Sequence, residues 1–254
     1  MNLYFELLKK PVFNMEYVNL YCNNIETSRS AVKRLMSGGM VAKIRNNMYT
    51  CINGQSGVPI ANRYQIASHI TSTSYISHHT AMEYYGVANQ VFHEVYVSSC
   101  SSFREFEFDG YKYSFLQSPT HTGVEYPAYS GDIAVTSLER TLVDSIYLMD
   151  KIAGMEETIE NIRGISILDE KKILEILQIY SNQFLYQKVG YILDFYKEQL
   201  DISEVFLEAC HRHIGKSKRY ITRYNSDGVY DRKWQLVVPR TLDIKNGVND
   251  DDIL

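Results

Sequence analysis

Thr27-Ser28-Arg29-Ser30-Ala31-Val32-Lys33-Arg34-Leu35-Met36-Ser37-Gly38-Gly39-Met40-Val41-Ala42-Lys43-Ile44-Arg45-Asn46-Asn47-Met48-Tyr49-Thr50-Cys51-Ile52 runs from an amphipathic helix into a hairpin. At 100° per residue, Ala31, Val32, Leu35 and Met36 fall in one arc of roughly 140°, while Arg29, Ser30, Lys33 and Arg34 fill the opposite arc. Thr27 is the expected N-cap, and Ser37-Gly38-Gly39 the expected end. Met40 to Arg45 and Met48 to Ile52 read as strands joined by Asn46-Asn47, residues that tolerate the positive φ of a two-residue turn. That register puts Ala42, Ile44, Tyr49 and Cys51 on one face and Lys43, Arg45 and Thr50 on the other.

Two helices are expected before this stretch. Leu3 to Lys9 is stopped by Pro11, and Asn14 caps a second helix carrying Met15, Val18 and Leu20, which ends at the Asn23-Asn24 turn. Helix, helix, basic helix, basic hairpin is the order of a winged helix-turn-helix. A helix about 10 to 12 Å across fits the major groove of DNA, and a hairpin beside it reaches the flanking backbone or minor groove. The expected contacts are Arg29, Ser30, Lys33 and Arg34 in the groove, Thr27 and Ser28 on phosphate, and Lys43, Arg45, Asn46 and Asn47 on the wing.

The net charge of -4 over 254 residues argues, taken alone, against a nucleic-acid partner. Its distribution argues otherwise. Residues 1–53 hold seven Lys and Arg against three Glu, net +4, and residues 211–240 hold eight against two Asp, net +6, which leaves -14 for the rest. With 45% hydrophobic and 22% charged residues the composition is that of a soluble globular protein, and no apolar run reaches the roughly 18 residues of a membrane span. The first residues lack the basic and apolar regions of a secretory signal, so a cytoplasmic location is expected. Cys22, Cys51, Cys100 and Cys210 are widely spaced and suggest reduced, mostly buried thiols rather than disulfides or a zinc ribbon.

An α+β architecture in two domains is expected: a winged helix-turn-helix over 1–53, a linker over 54–60 (Gly54 to Pro59 and Ile60), and a larger mixed domain over 61–254. In the latter, helices are expected at 62–69, 78–86, 137–149, 154–163, 169–180, 183–197 and 202–213. Strands are expected at 92–98, 103–109 and 111–117, with an Asp109-Gly110 turn. A closing strand pair, Arg219–Tyr224 and Lys233–Val238, would turn around Asn225-Ser226-Asp227-Gly228. Asp250-Asp251-Asp252 reads as a solvated tail.

Several motifs then carry a family resemblance. Tyr64-Gln65-Ile66-Ala67, Ile76-Ser77-His78-His79-Thr80-Ala81-Met82-Glu83-Tyr84-Tyr85-Gly86, Val135-Thr136-Ser137-Leu138-Glu139-Arg140-Thr141-Leu142-Val143-Asp144 and Val189-Gly190-Tyr191-Ile192-Leu193 occur in the order seen in the AbiEi family of abortive-infection antitoxins, which the chain resembles over roughly residues 1–240. The wing tip departs from that family, which more often has a glycine before the tyrosine. The resemblance implies an antitoxin of a type IV toxin–antitoxin system acting in phage defence. Its winged helix would bind inverted repeats of operator DNA and repress its own operon, as a monomer in solution or a dimer on DNA. Its larger domain would neutralise a nucleotidyltransferase-like toxin, typically without a stable complex. No enzymatic activity, cofactor or metal is expected. The alternatives are a winged-helix transcriptional regulator without a toxin and a nucleic-acid-processing enzyme.

The remaining polar motifs read structurally. Arg140 and Asp144, four apart on a helix, fit a salt bridge clamping helix to sheet, whereas Glu139 and Asp144, five apart, face different ways and do not suit a metal. Glu107, Asp109 and Lys112 lack nuclease spacing. Ser77 is the expected cap of the following helix rather than a nucleophile, and Cys210, His211 and His213 lack a partner ligand pair. Arg212, Lys216, Lys218, Arg219 and Arg223 form a candidate second basic surface: either partners of a helix C-terminus, or contacts for DNA, an acidic toxin or nucleotide groups.

Overall fold

The computed structural model describes residues 2–118, 120–223 and 228–240, a mixed α+β chain with several sheets. It divides into two compact units, residues 1–80 with 92–136, and residues 81–91 with 137–254. The expected boundary at 54–60 therefore falls inside the first unit. Tyr224, Asn225, Ser226, Asp227 and the 250–252 tail lie outside the described residues.

The first unit opens with α1 (Leu3–Leu7), α2 (Met15–Cys22) and α3 (Ile25–Ser37), followed by the hairpin β1 (Val41–Arg45) and β2 (Met48–Cys51). Asn14 caps α2, its side chain accepting from the Tyr17 amide, and Asn23 ends it in the left-handed region at φ 55. The cap of α3 is Asn24, not Thr27: its side chain accepts from the Glu26 and Thr27 amides, so the helix starts two residues before Thr27. Leu7, Phe13, Val18, Val32, Val41, Tyr49 and Cys51 form one buried cluster among these elements.

The hairpin register differs from the expected one. Val41 faces Cys51, Ala42 faces Thr50, Lys43 faces Tyr49 and Arg45 faces Met48, with an irregularity between Lys43 and Arg45. Cys51 and Tyr49 thus share a face with Val41 and Lys43, and Ala42 joins Thr50 on the other. The extra residue is Ile44, a bulge that an even alternation cannot reveal. All of β2 is buried because the strand is flanked on both edges: Phe13 bridges to Tyr49 through backbone bonds of 2.9 and 2.8 Å, their rings stacked with centroids 6.0 Å apart.

Residues 54–60 are folded rather than extended. Asn53 accepts from the amides of Gln55 and Ser56, Ile52 bridges to Pro59, and the Ala61 amide donates to Thr50. After α4 (Arg63–Ser68) come β3 (Tyr75–Ile76), α5 (His78–Tyr84), β4 (Glu94–Ser99), β5 (Phe106–Phe108), β6 (Tyr111–Gln117), β7 (Val124–Glu125) and β8 (Val135–Thr136). The strands form one sheet in the order β5-β6-β4-β3-β8-β7, in which β4–β6 and β3–β8 are parallel. Asp109 and Gly110 both have positive φ, as a two-residue hairpin turn requires.

The second unit packs α6 (Leu138–Leu148), α7 (Gly154–Arg163), α8 (Glu170–Tyr180), α9 (Gln183–Phe195), α10 (Lys197–Leu200) and α11 (Glu204–Arg212) with the small sheet of β9 (Arg219–Tyr220), β10 (Gly228–Asp231) and β11 (Leu236–Pro239). The expected closing strand pair is corrected in topology: β11 is central, antiparallel to β10 and parallel to β9. Trp234, fully buried, lies across α9. A Cβ at Gly190 would come within 2.1 Å of its ring, its indole N–H donates to Asp194 at 2.8 Å, and its carbonyl accepts from Gln187 at 3.2 Å. These positions are spaced three and four apart, one stripe of the helix. Glycine is costly in a helix interior by about 1 kcal/mol, and here the close approach of the indole requires it.

Candidate nucleic-acid interface

Helix α3 buries Ser28, Ala31 and Val32 and exposes Thr27, Arg29, Ser30, Lys33 and Arg34. Ser28 is fully buried, its hydroxyl donating to the Asn24 carbonyl at 2.9 Å, and so faces the core rather than a ligand. Because the helix begins at Ile25, Ser28 stands one turn below Val32 on the packed face. Met36, expected on that face, is 38% exposed and lines the rim of a groove instead.

That open groove, about 480 Å³, runs between α3 and the hairpin and is lined by Arg29, Lys33 and Lys43, with Met15, Val32 and Tyr49 among its apolar walls. Cations from two successive elements, a helix and a strand, therefore face one trough. Arg29 is also within 2.6 Å of Glu26, both side chains well exposed, a surface pair worth at most about 1 kcal/mol that a stronger anion can displace.

The hairpin tip goes elsewhere. Arg45, Asn46 and Asn47 line a separate groove of about 670 Å³ together with Lys10, His69 and Thr71. Arg45 is half-buried, its guanidinium 5.1 Å from the Phe106 ring and 5.8 Å from Phe103, and its Nη1 has no hydrogen-bond partner among the described residues. It packs onto the large sheet rather than projecting with Lys43, because the bulge at Ile44 turns it from Lys43's row. The exposed Asn47 turns at φ 56, and its side-chain oxygen accepts from the Met15 amide at 2.9 Å, tying the tip to the start of α2. Lys10, which charge patterning left unassigned, donates to Asp132 at 3.0 Å, and this hydrogen bond and charge hold the Asp132 carboxyl below its ordinary range.

The structural motifs have their own geometry. Arg140 Nε donates to Asp144 Oδ2 at 3.1 Å, both side chains 1% exposed, and Tyr180 on α8 donates to Asp144 Oδ1. Asp144 thereby joins α6 to α8. Glu139 instead accepts from the Asp169 amide at 3.1 Å. Ser77 is buried, but its hydroxyl meets Ser98 at 2.7 Å and His78 Nδ1 at 2.8 Å, so it ties α5 to β4 and does not cap the helix. His78 opens α5 at φ 52, a conformation in which the usual cap geometry is lost. Burial pushes the Cys51 and Cys210 thiols up to about 12, while Cys100 is exposed. Among the described residues no group of three His, Cys, Asp or Glu is placed to hold a metal ion.

Arg212, Lys216, Lys218, Arg219 and Arg223 are all exposed. Lys218 lies over Tyr220 and Tyr230 at 5.8 and 5.4 Å, and Arg219 lies 5.9 Å from the Phe184 ring. His211 Nε2 meets the Lys233 carbonyl at 3.0 Å. Sequence reasoning missed Lys188, which is 5% exposed on α9. A lysine within the apolar run from Leu185 to Leu193 was the available signal.

No family model and no curated protein matches the chain. Its fold is similar to that of the RV2827C protein from Mycobacterium tuberculosis, whose crystal structure aligns with a TM-score of 0.68 at 12% identity, over 92% of this chain and 89% of that one. At that identity the likeness is one of fold.

Proposed function

We propose that residues 2–53 form a winged helix-turn-helix that binds operator DNA, and that the protein is the autoregulatory antitoxin of a type IV system. The observation that carries the DNA reading is the convergence of Arg29 and Lys33 from α3 with Lys43 from β1 on one groove. In this reading α3 enters the major groove, with Arg29, Ser30, Lys33 and Arg34 toward the bases or phosphates, and Lys43 neutralises the flanking backbone. Arg45 and Ser28 contribute packing, not contacts. Two copies on an inverted repeat would place their helices about 34 Å apart.

The antitoxin role rests on the motif order around Glu139 to Asp144 and Val189 to Leu193. The protein then acts in the cytoplasm without catalysis of its own, and a nucleotidyltransferase-like toxin is its functional partner.

The DNA reading is tested by fluorescence anisotropy on the region upstream of the gene, across a salt series. Arg29→Ala and Lys33→Ala should each cost about 1–3 kcal/mol where they read bases, or lower the salt slope by about 1 where they touch phosphate. Wild-type affinity in the double variant refutes it. Co-expression with the adjacent gene tests the antitoxin role: growth rescue supports it, and DNA binding without rescue leaves a plain regulator.

A further inference from the structure

The second unit contains a groove of about 480 Å³ beside the N-terminus of α9. Lys188 lines it from one turn into the helix. Its side chain is 6% exposed, and its ammonium lies 4.8 Å from the Phe184 ring and 4.0 Å from Asp150 Oδ2, at the limit of an ion pair. Among the described residues it makes no hydrogen bond. Burial lowers its proton affinity and Arg223 lowers it further, while Asp150 raises it.

A buried ammonium with three donors and one distant carboxylate is incompletely satisfied. Its surroundings make that worse. Lys151 and Arg223 also line the groove, so three cations face one acidic residue. The positive end of the α9 dipole adds to them: Asn182 caps that helix through the Phe184 and Leu185 amides, and all three residues line the groove. An anion from solution is the natural complement. Tyr147 and Tyr220, 41% and 53% exposed, flank the same space and offer ring faces. The volume lies in the usual range for small-molecule sites, about 300–1,000 Å³.

We propose that this groove binds a small phosphorylated ligand bearing a planar ring, the chemistry of a nucleotide. Its phosphate meets Lys188 and Arg223 beside the positive end of the α9 dipole, and its ring lies on Tyr220. The site is separate from the proposed DNA groove and does not depend on that reading.

The test is calorimetric titration of the full-length protein with pyrophosphate, ribose 5-phosphate, AMP, ATP and GTP. At least one nucleotide should bind more tightly than pyrophosphate or ribose 5-phosphate. Lys188→Met and the exposed-site variant Arg223→Ala should each weaken it about tenfold or more. Tyr220→Ala should weaken the nucleotide and leave pyrophosphate unchanged. Arg223→Ala keeps the test decisive should Lys188→Met fold poorly, and circular dichroism checks both. Three results overturn the proposal: no probe binds the wild type, folded Arg223→Ala binds as tightly as wild type, or a 5′-phosphorylated oligonucleotide titrated alongside is the one probe that binds. Operator affinity, measured on the same variants, should not change; a loss there with no nucleotide binding assigns the groove to DNA instead.

Discussion

Both units expose cations, but the second also buries two. Around α3 the cations stand in solvent: Arg29, Lys33, Arg34 and Lys43 are exposed, and among the described residues the acidic group that pairs with them is the exposed Glu26 beside Arg29. In the second unit, Arg140 and Lys188 are buried. An exposed cation costs little to keep, acts at a distance and is screened by salt, properties suited to a polyanion of variable position. A buried cation is expensive unless specific atoms meet it, so its neighbours disclose its purpose. Arg140 has a carboxylate at bonding distance and is structural. Lys188 has one only at 4.0 Å, and faces a groove.

The largest effect should come from breaking the satisfied buried pair. Asp144→Ala removes the buried carboxylate that accepts from both Arg140 and Tyr180, and should cost about 3–5 kcal/mol in chemical denaturation. A loss under 1 kcal/mol would mean that Arg140 is supported by other partners and that the pair says little about burial.

Gly190→Ala probes the same unit without touching charge. The added carbon meets the Trp234 ring, so overpacking of about 1–3 kcal/mol should outweigh the gain in helix propensity. Raised stability would show that the indole can move aside.

Arg45→Ala sharpens the contrast from the other side. Arg45 packs on Phe106 and Phe103, so it should lose about 0.5–1 kcal/mol of stability and leave operator affinity unchanged, unlike Lys43→Ala. The reverse outcome would return Arg45 to the ligand face.

The smallest effect is a pH dependence. Lys188 has its proton affinity lowered in the folded state, so the unfolded chain binds more protons between its folded pKa and the ordinary lysine value of 10.5. Stability from this group therefore rises with pH across that window. Wild type minus Lys188→Met, compared by denaturant titration from neutral to alkaline pH, should show that rise; a flat difference contradicts it.

Much of the fold was legible because its elements are long enough to show a period. Helices α6 to α9, the Asp109-Gly110 turn and the extent of the basic hairpin all announce themselves in apolar spacing or turn chemistry. What escaped was of another kind. Strands β3 and β8 are two residues each and pair in parallel, Ile76 with Val135, so no local pattern exists to read. The 54–60 segment has linker composition, yet its polar groups are used in turns and bridges. At the candidate interface, exposure followed the helical wheel for Arg29, Ser30, Lys33 and Arg34. Errors arose where one residue displaced the frame: the cap moved from Thr27 to Asn24, and Ile44 was inserted in the strand.

The way the chain alternates between its units has a practical consequence for dissecting it. The backbone passes from one unit to the other at 80/81, again at 91/92 and a third time at 136/137. No single cut separates the units cleanly: a cut at 136/137 keeps the first unit whole but carries residues 81–91 of the second with it. A truncation at residue 61 removes the strands that carry the buried Val41 and Cys51, together with the Thr50 hydroxyl that holds Ala61, leaving an injured first unit rather than a free-standing second one. Separate roles are therefore better assigned with point substitutions in the intact chain than with fragments, and a protease that nicks the chain at one place always leaves pieces of both units on one fragment.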